Sequence, residues 1–120
     1  MMRGIRGATT VQENKAEEIV SHAYELVADM VHQNNVDAND VVSILFTVTE
    51  DLNAAFPAKA VRKIEGWTYV PVMCMQEIPV PGSLEKCIRV MMTVNTSAKQ
   101  EEVHHVYHYG ATVLRPDLKK

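Results

Sequence analysis

The chain has 120 residues, 47% apolar and 22% charged, the balance of one globular domain spanning residues 1–120 with a single real core. Its formal net charge of −3 excludes a general nucleic-acid binder, because counterion release rewards only a basic excess. The opening "MMRGIRGATT" lacks the apolar stretch of a secretory signal, and the longest apolar run, within "VVSILFTV", is far too short to span a membrane.

In chain order, "RGIRGATTV" reads as a short strand, with Gly4 and Gly7 allowing a backbone or ligand close approach or simply marking the strand's exit. "NKAEEIVSHAYELVADMVHQNN" places Val20, Ala23, Tyr24, Val27, Met30 and Val31 at helical spacing, which predicts a long amphipathic helix. Asn14 with Glu17 forms the pattern of a capping box, and the polar "QNNVDAND" should end the helix. "DVVSILFTVTED" is the strongest strand, rich in β-branched residues. Pro57 is placed to open a short helix and Gly66 to close it. "WTYVPVMCMQEI" is a further strand that Pro71 confines to an edge or bulge. The turn "PVPGSLEK" then returns the chain antiparallel into "CIRVMMTVNT". "HHVYHYGATVLRPDL" reads as one more strand, broken at Gly110. The order β-α-β-α-β-β-β defines an α+β protein, a mixed sheet packed on one face by the long helix. Its second face also reads as apolar, through Cys74, Cys87 and Met91, so self-association is expected to cover it.

Most of the tempting chemistry has a plainer reading. His104 and His108 would share a helix face, but on a strand His105 points away from both, so a solvated histidine cluster is expected and no metal site. Cys74 has no histidine base or helix N-terminus to activate it, which favours a small packed residue over a nucleophile. Two cysteines without CxxC spacing fit reduced thiols in a cytoplasmic protein, and the methionines fit gap-filling on strands. No phosphate loop or dinucleotide fingerprint is present.

Arginine stands out instead. Arg89 sits in mid-strand among apolar neighbours, where an unpaired guanidinium would cost several kcal/mol. Arg6, Arg62, Arg115 and Lys59 are also at structured places, and arginine's rigid fork suits carboxylate recognition. Glu77, on what reads as the adjacent hairpin strand, is the candidate internal partner of Arg89. A structural ion pair and a site for a polyanionic, hydroxylated ligand both remain open at this point.

"RGIRGATTV", "FPAKAVR", "GWTYVPVMCMQE", "KCIRVMMTVNT" and "HVYHYGATVLRPDL" together resemble the AroH-type monofunctional chorismate mutases, over residues 3 to about 118. The resemblance implies rearrangement of chorismate to prephenate on the route to phenylalanine and tyrosine, without cofactor or metal. It also implies a homotrimer with a barrel-like β core and active sites between subunits. Matched residue by residue, Arg89 corresponds to the arginine at the breaking ether oxygen, and Glu77 to the acceptor of the ring hydroxyl and companion of Arg89. Arg6 and Tyr107 correspond to the grip on the side-chain carboxylate, and Cys74 to a thiol near the hydroxyl. Phe56, Ala58 and Leu114 resemble pocket walls; Lys59, Arg62 and Arg115 resemble a cationic rim facing the ring carboxylate. Met73 adjoins the pocket where family members often have threonine, and the tail ending in "RPDLKK" is expected to be too short for a full lid. The rival reading is a non-catalytic trimeric binder of a small dicarboxylate, for which an acid in the pocket would gain nothing.

Overall fold

Five strands form one mixed sheet: β1 (Met2–Thr10), β2 (Val41–Val48), β3 (Val72–Gln76), β4 (Cys87–Asn95) and β5 (Val106–Tyr107), in the spatial order β3-β2-β4-β1-β5. The computed structural model describes residues 1–115; the end of the "RPDL" segment and the C-terminal tail lie outside them. β4 runs antiparallel to both β1 and β2, whereas β3 is parallel to β2 and β5 is parallel to β1. The sheet is therefore not built on the hairpin expected across "PVPGSLEK". That turn does reverse the chain, but it carries β4 past β2, which lies between β3 and β4.

One long helix, α1 (Ala16–Asn34), covers one face of the sheet. Strand alternation sends Ile5, Ile44, Phe46, Ile88 and Met92 to that face, where they are almost fully buried against Ile19, Ala23, Leu26, Val27 and Met30. Tyr24 belongs to the outer flank of the helix instead, and Ile19 and Leu26 take the central places. Gly7 is what allows the close approach: a Cβ there would lie 2.5 Å from Met30 Sδ and 3.1 Å from Leu26 Cδ1. The neighbour that needs the space is thus a helix side chain, neither backbone nor ligand.

The expected capping box does not form. Lys15 is the N-cap, without a side-chain bond, while Asn14 accepts from the Asn53 and Ala54 amides. Glu18 reaches back to accept from the Gln12 and Glu13 amides, at 2.6 and 3.1 Å. The helix ends at Asn35 in a left-handed conformation, inside the polar stretch that was expected to stop it. Pro57–Lys63 is a 3₁₀ helix closed by Ile64, with Gly66 at positive φ just beyond. β3 is an edge strand, as Pro71 requires. The last segment keeps only two strand residues before a 3₁₀ turn, Tyr109–Val113, which contains Gly110. Among the described residues no helix is long and apolar enough to cross a membrane.

Candidate active site

Among the described residues, the face of the sheet away from α1 is open. Met73, Met75 and Met91 are exposed on it, as the apolar second face predicts. Two cysteines depart from that expectation. Cys74 pairs with Phe46 and shares its helix-side face, where it packs partly buried against the main core. Cys87 does point to the open face, but it is buried beside Ala8 and Ala111, with Leu84, Tyr107 and Leu114 packed against them.

Register builds the site. Tyr107 pairs with Ala8, Ala8 with Arg89, Arg89 with Thr47, and Thr47 with Met75, so five strands contribute one row of side chains across the open face. Arg6 lies two residues from Ala8 on the same face, and Glu77 follows the end of β3 with its amide bonded to Val48 O at 2.8 Å. Small Ala8 leaves room between Tyr107 and Arg89. The result is a hollow of about 250 Å³ lined by Arg6, Glu77, Arg89, Tyr107, Leu114 and Arg115, among others.

Arg89 is not buried on both sides, as its strand suggested; its side chain is 45% exposed in the single chain. Its Nε lies 3.7 Å from Glu77 Oε2, an ion pair too long for a hydrogen bond. Thr47 Oγ1 donates to that same Oε2 at 2.6 Å. Burial pushes the Cys87 thiol up from its ordinary value, and a hydrogen bond from the Arg89 guanidinium opposes that shift. Tyr107 presents a buried hydroxyl with no hydrogen-bond partner among the described residues. Buried polar groups ordinarily find partners, so an unpaired phenol beside a cationic hollow is suited to an incoming acceptor.

The segment carrying Tyr107 is tied down from behind. His108 Nε2 meets Asp29 Oδ2 at 2.8 Å, and Tyr109 donates to Glu25 at 3.0 Å while stacking on His22. His105 Nδ1 accepts from the Arg6 amide at 2.9 Å. The histidines of "HHVYH" therefore do not form a solvated cluster: two of them hold strands and helix together, which their 79- and 99-residue separations from their partners conceal in the sequence. Burial works against the charge of Asp29, but hydrogen bonds from Gln33 and His108 outweigh it and hold the carboxyl below its ordinary value.

Six of the expected site residues do not line this hollow. Phe56, Ala58, Lys59 and Arg62 belong to the 3₁₀ helix Pro57–Lys63 and its N-cap, with Phe56, Lys59 and Arg62 exposed. Cys74 sits beside them: burial pushes its thiol up, while the Ala58 amide bonded to it pulls the other way. Met73 is exposed on β3. Sequence reasoning overlooked Thr47 and the Arg89 contact of Cys87. A polar residue in the apolar run "VVSILFTV" was the one signal available for the first.

An α+β sheet with one face open among the described residues, on which cations and a single carboxylate surround a small hollow, defines a protein suited to receive a small anion. Its relatives make the class specific. A family model described as chorismate mutase type I matches residues 2–118. Chorismate mutase AroH of Bacillus subtilis (strain 168) is 53% identical over 118 residues, covering 98% of this chain and 93% of that protein. The Thermus thermophilus protein of the same name is 47% identical over 120 residues, covering 99% and 98%. A solved chorismate mutase from Clostridium thermocellum superposes with a TM-score of 0.90 at 55% identity, covering 93% of this chain and 99% of that one. The chain belongs to the type I chorismate mutase family and converts chorismate to prephenate, a step of aromatic amino acid biosynthesis. A non-catalytic dicarboxylate binder is set aside.

Proposed function

We propose that catalysis takes place in clefts of a homotrimer, in which the open sheet faces form a shared barrel-like core. The observation that carries this reading is the division of the site residues. Arg6, Glu77, Arg89, Tyr107, Leu114 and Arg115 meet at one hollow on a bare apolar face, while Phe56, Ala58, Lys59, Arg62 and Cys74 gather at β3 and the 3₁₀ helix. Two copies complete one pocket, the first group supplied by one and the second by its neighbour, with Met73 near the seam. Exposed apolar area of this kind is normally covered by association.

The reaction breaks one C–O bond and forms one C–C bond within chorismate, so the enzyme has no proton to move and no electrons to supply. What it stabilises is charge. The ether oxygen gains negative charge as its bond lengthens, and Arg89 stands ready to meet it, favouring the transition state over the ground state. Glu77 accepts from the ring hydroxyl through its free oxygen and fixes the ring's orientation. Arg6 and the unpaired Tyr107 hydroxyl grip the side-chain carboxylate. Lys59, Arg62 and Arg115 attract the ring carboxylate, between walls of Phe56, Ala58 and Leu114. Cys74 positions the hydroxyl as a neutral thiol, consistent with the burial that disfavours its thiolate. The whole chain acts as one catalytic domain in the cytoplasm, in keeping with its two free thiols.

Mixed trimers test the shared site. Copies carrying Arg89→Ala and copies carrying Arg62→Ala, each inactive alone, should regain chorismate consumption when unfolded and refolded together, because some clefts then combine two intact halves. No recovery from trimers shown to be mixed by mass spectrometry would overturn the division of the site between chains.

A further inference from the structure

We propose that Thr47 is a positioning residue of the active site, holding Glu77 by one carboxylate oxygen so that its other oxygen and the Arg89 guanidinium stay available to chorismate. The inference rests on the roles assigned to Glu77 and Arg89 above. Thr47 stands between them: its strand partner on one side is Arg89, and its hydroxyl donates to Glu77 Oε2 at 2.6 Å. A hydrogen bond to an ionised acceptor at that length is among the strong ones.

The oxygen that Thr47 holds is the oxygen nearest Arg89. With Oε2 engaged, Arg89 Nε stops at 3.7 Å. Guanidinium and carboxylate groups so near one another ordinarily close into a bidentate pair with two parallel bonds. Closure here would occupy both carboxylate oxygens and two of the Arg89 N–H groups, the same atoms that the reaction requires. Each turnover would then have to open the pair first. Thr47 prevents this, and the Glu77 amide, anchored to Val48 O at 2.8 Å, fixes the carboxylate from behind. Oε1 receives no hydrogen bond among the described residues, which leaves it for the substrate hydroxyl. β-Branching adds to the effect, since threonine's χ1 is restricted and its hydroxyl is held in place.

Thr47→Val removes the hydroxyl and keeps the shape and the strand preference. We expect kcat to fall roughly tenfold to a hundredfold, the range for a hydrogen bond to a charged group, with a smaller change in KM and a melting temperature lowered by several degrees with the fold intact. Thr47→Ser, which keeps the donor, should retain most of the wild-type kcat. In a Glu77→Gln background, adding Thr47→Val should cost little, because the carboxylate it holds is gone. Thr47→Ala carries the same comparisons should the valine variant fold poorly. Wild-type kcat in the valine or alanine variant, an equal loss in the serine variant, or full additivity with Glu77→Gln would overturn the proposal. If Glu77→Gln is crippled while Thr47→Val is not, only Thr47 loses its role. If Glu77→Gln itself leaves kcat untouched, the assignment of Glu77 falls and Thr47 with it.

Discussion

Replacing Arg89 by citrulline keeps its shape and most of its N–H donors but removes the charge, which separates electrostatics from geometry. A developing half charge about 2.9 Å from the guanidinium, at an effective dielectric constant of about 20, is stabilised by roughly 3 kcal/mol. That is about a hundredfold in rate. In the proposed trimer the value would be a lower limit, because a neighbouring copy covering the face would reduce the 45% exposure that Arg89 has in one chain, and the dielectric constant with it. Loss of a single fixed donor in other enzymes costs ~10²–10³ in kcat, which agrees. The structural cost is much smaller. At 3.7 Å and half exposed, the pair with Glu77 belongs with surface ion pairs. Such pairs are worth ~0–1 kcal/mol, so the melting temperature should drop by at most about 5 °C. Semisynthetic enzyme, assayed by the loss of chorismate absorbance, should therefore be folded, trimeric and slow, with kcat reduced far more than substrate affinity. Arg89→Lys should also be slow, since it keeps the charge but displaces it from the planar fork. Near-normal kcat in the citrulline enzyme would refute the mechanism and leave Arg89 as a structural partner of Glu77.

Light scattering should show a trimer at micromolar concentration, and Leu45→Asp, on the open face between Met73 and Met91, should give folded, inactive monomers, because an unpaired carboxylate in a face buried by association costs several kcal/mol; an active monomer would contradict the shared site. Cys74→Ala should lower activity only a few-fold, as expected for a weak donor, and complete loss with the fold intact would give the thiol a role not assigned here. Because burial raises both thiols, alkylation of Cys74 and Cys87 should accelerate only at a higher pH than that of a free cysteine, as read by mass spectrometry. Asp29→Asn should destabilise the enzyme by about 1 kcal/mol at neutral pH, somewhat below the usual range for a charged hydrogen bond because the pair is partly solvated. Since the folded carboxyl lies below its ordinary value of 3.8, that contribution is present above 3.8 and disappears as pH falls through the depressed value. Urea titrations of wild type and variant should converge there, and a gap that persisted in acid would exclude the Asp29 charge as its source.

Local pattern carried most of the elements. Alternation in "CIRVMMTV" placed Arg89 and Met91 on one face and Ile88, Val90 and Met92 on the other, and the exposure of each agrees. Pro71 marked an edge strand for the reason that a proline cannot donate to a ladder. What stayed hidden depends on pairing between distant strands. Nothing near "PVPGSLEK" says that β2 intervenes between β3 and β4, yet that insertion is what brings Thr47 between Glu77 and Arg89. Cys74 was assigned to the wrong face because its side is fixed by its register with Phe46, a residue in another strand. The side-chain capping of α1 was misread for a similar reason, with Asn14 drawn away to the loop at Asn53 and Ala54. The catalytic roles came from resemblance, since composition and spacing alone could not separate a substrate-binding arginine from a structural one.

The strand order has a consequence for how the protein is made. β1 pairs with β4, from Met2 opposite Asn95 to Thr10 opposite Cys87, and with β5, where Gly7 lies opposite Val106. β1 therefore leaves the ribosome before either of its two neighbours. At roughly 5–20 residues per second, the nascent β1 waits about 5–20 s for β4 alone. Through that interval its two edges are open to strands of other nascent chains. Gly4 and Gly7 weaken any such pairing, and Arg3 and Arg6 place charge in the same nine residues, the usual composition of an aggregation gatekeeper. Arg6, a wall of the finished hollow, is thus also one of the charges that the strand carries while its edges are still open.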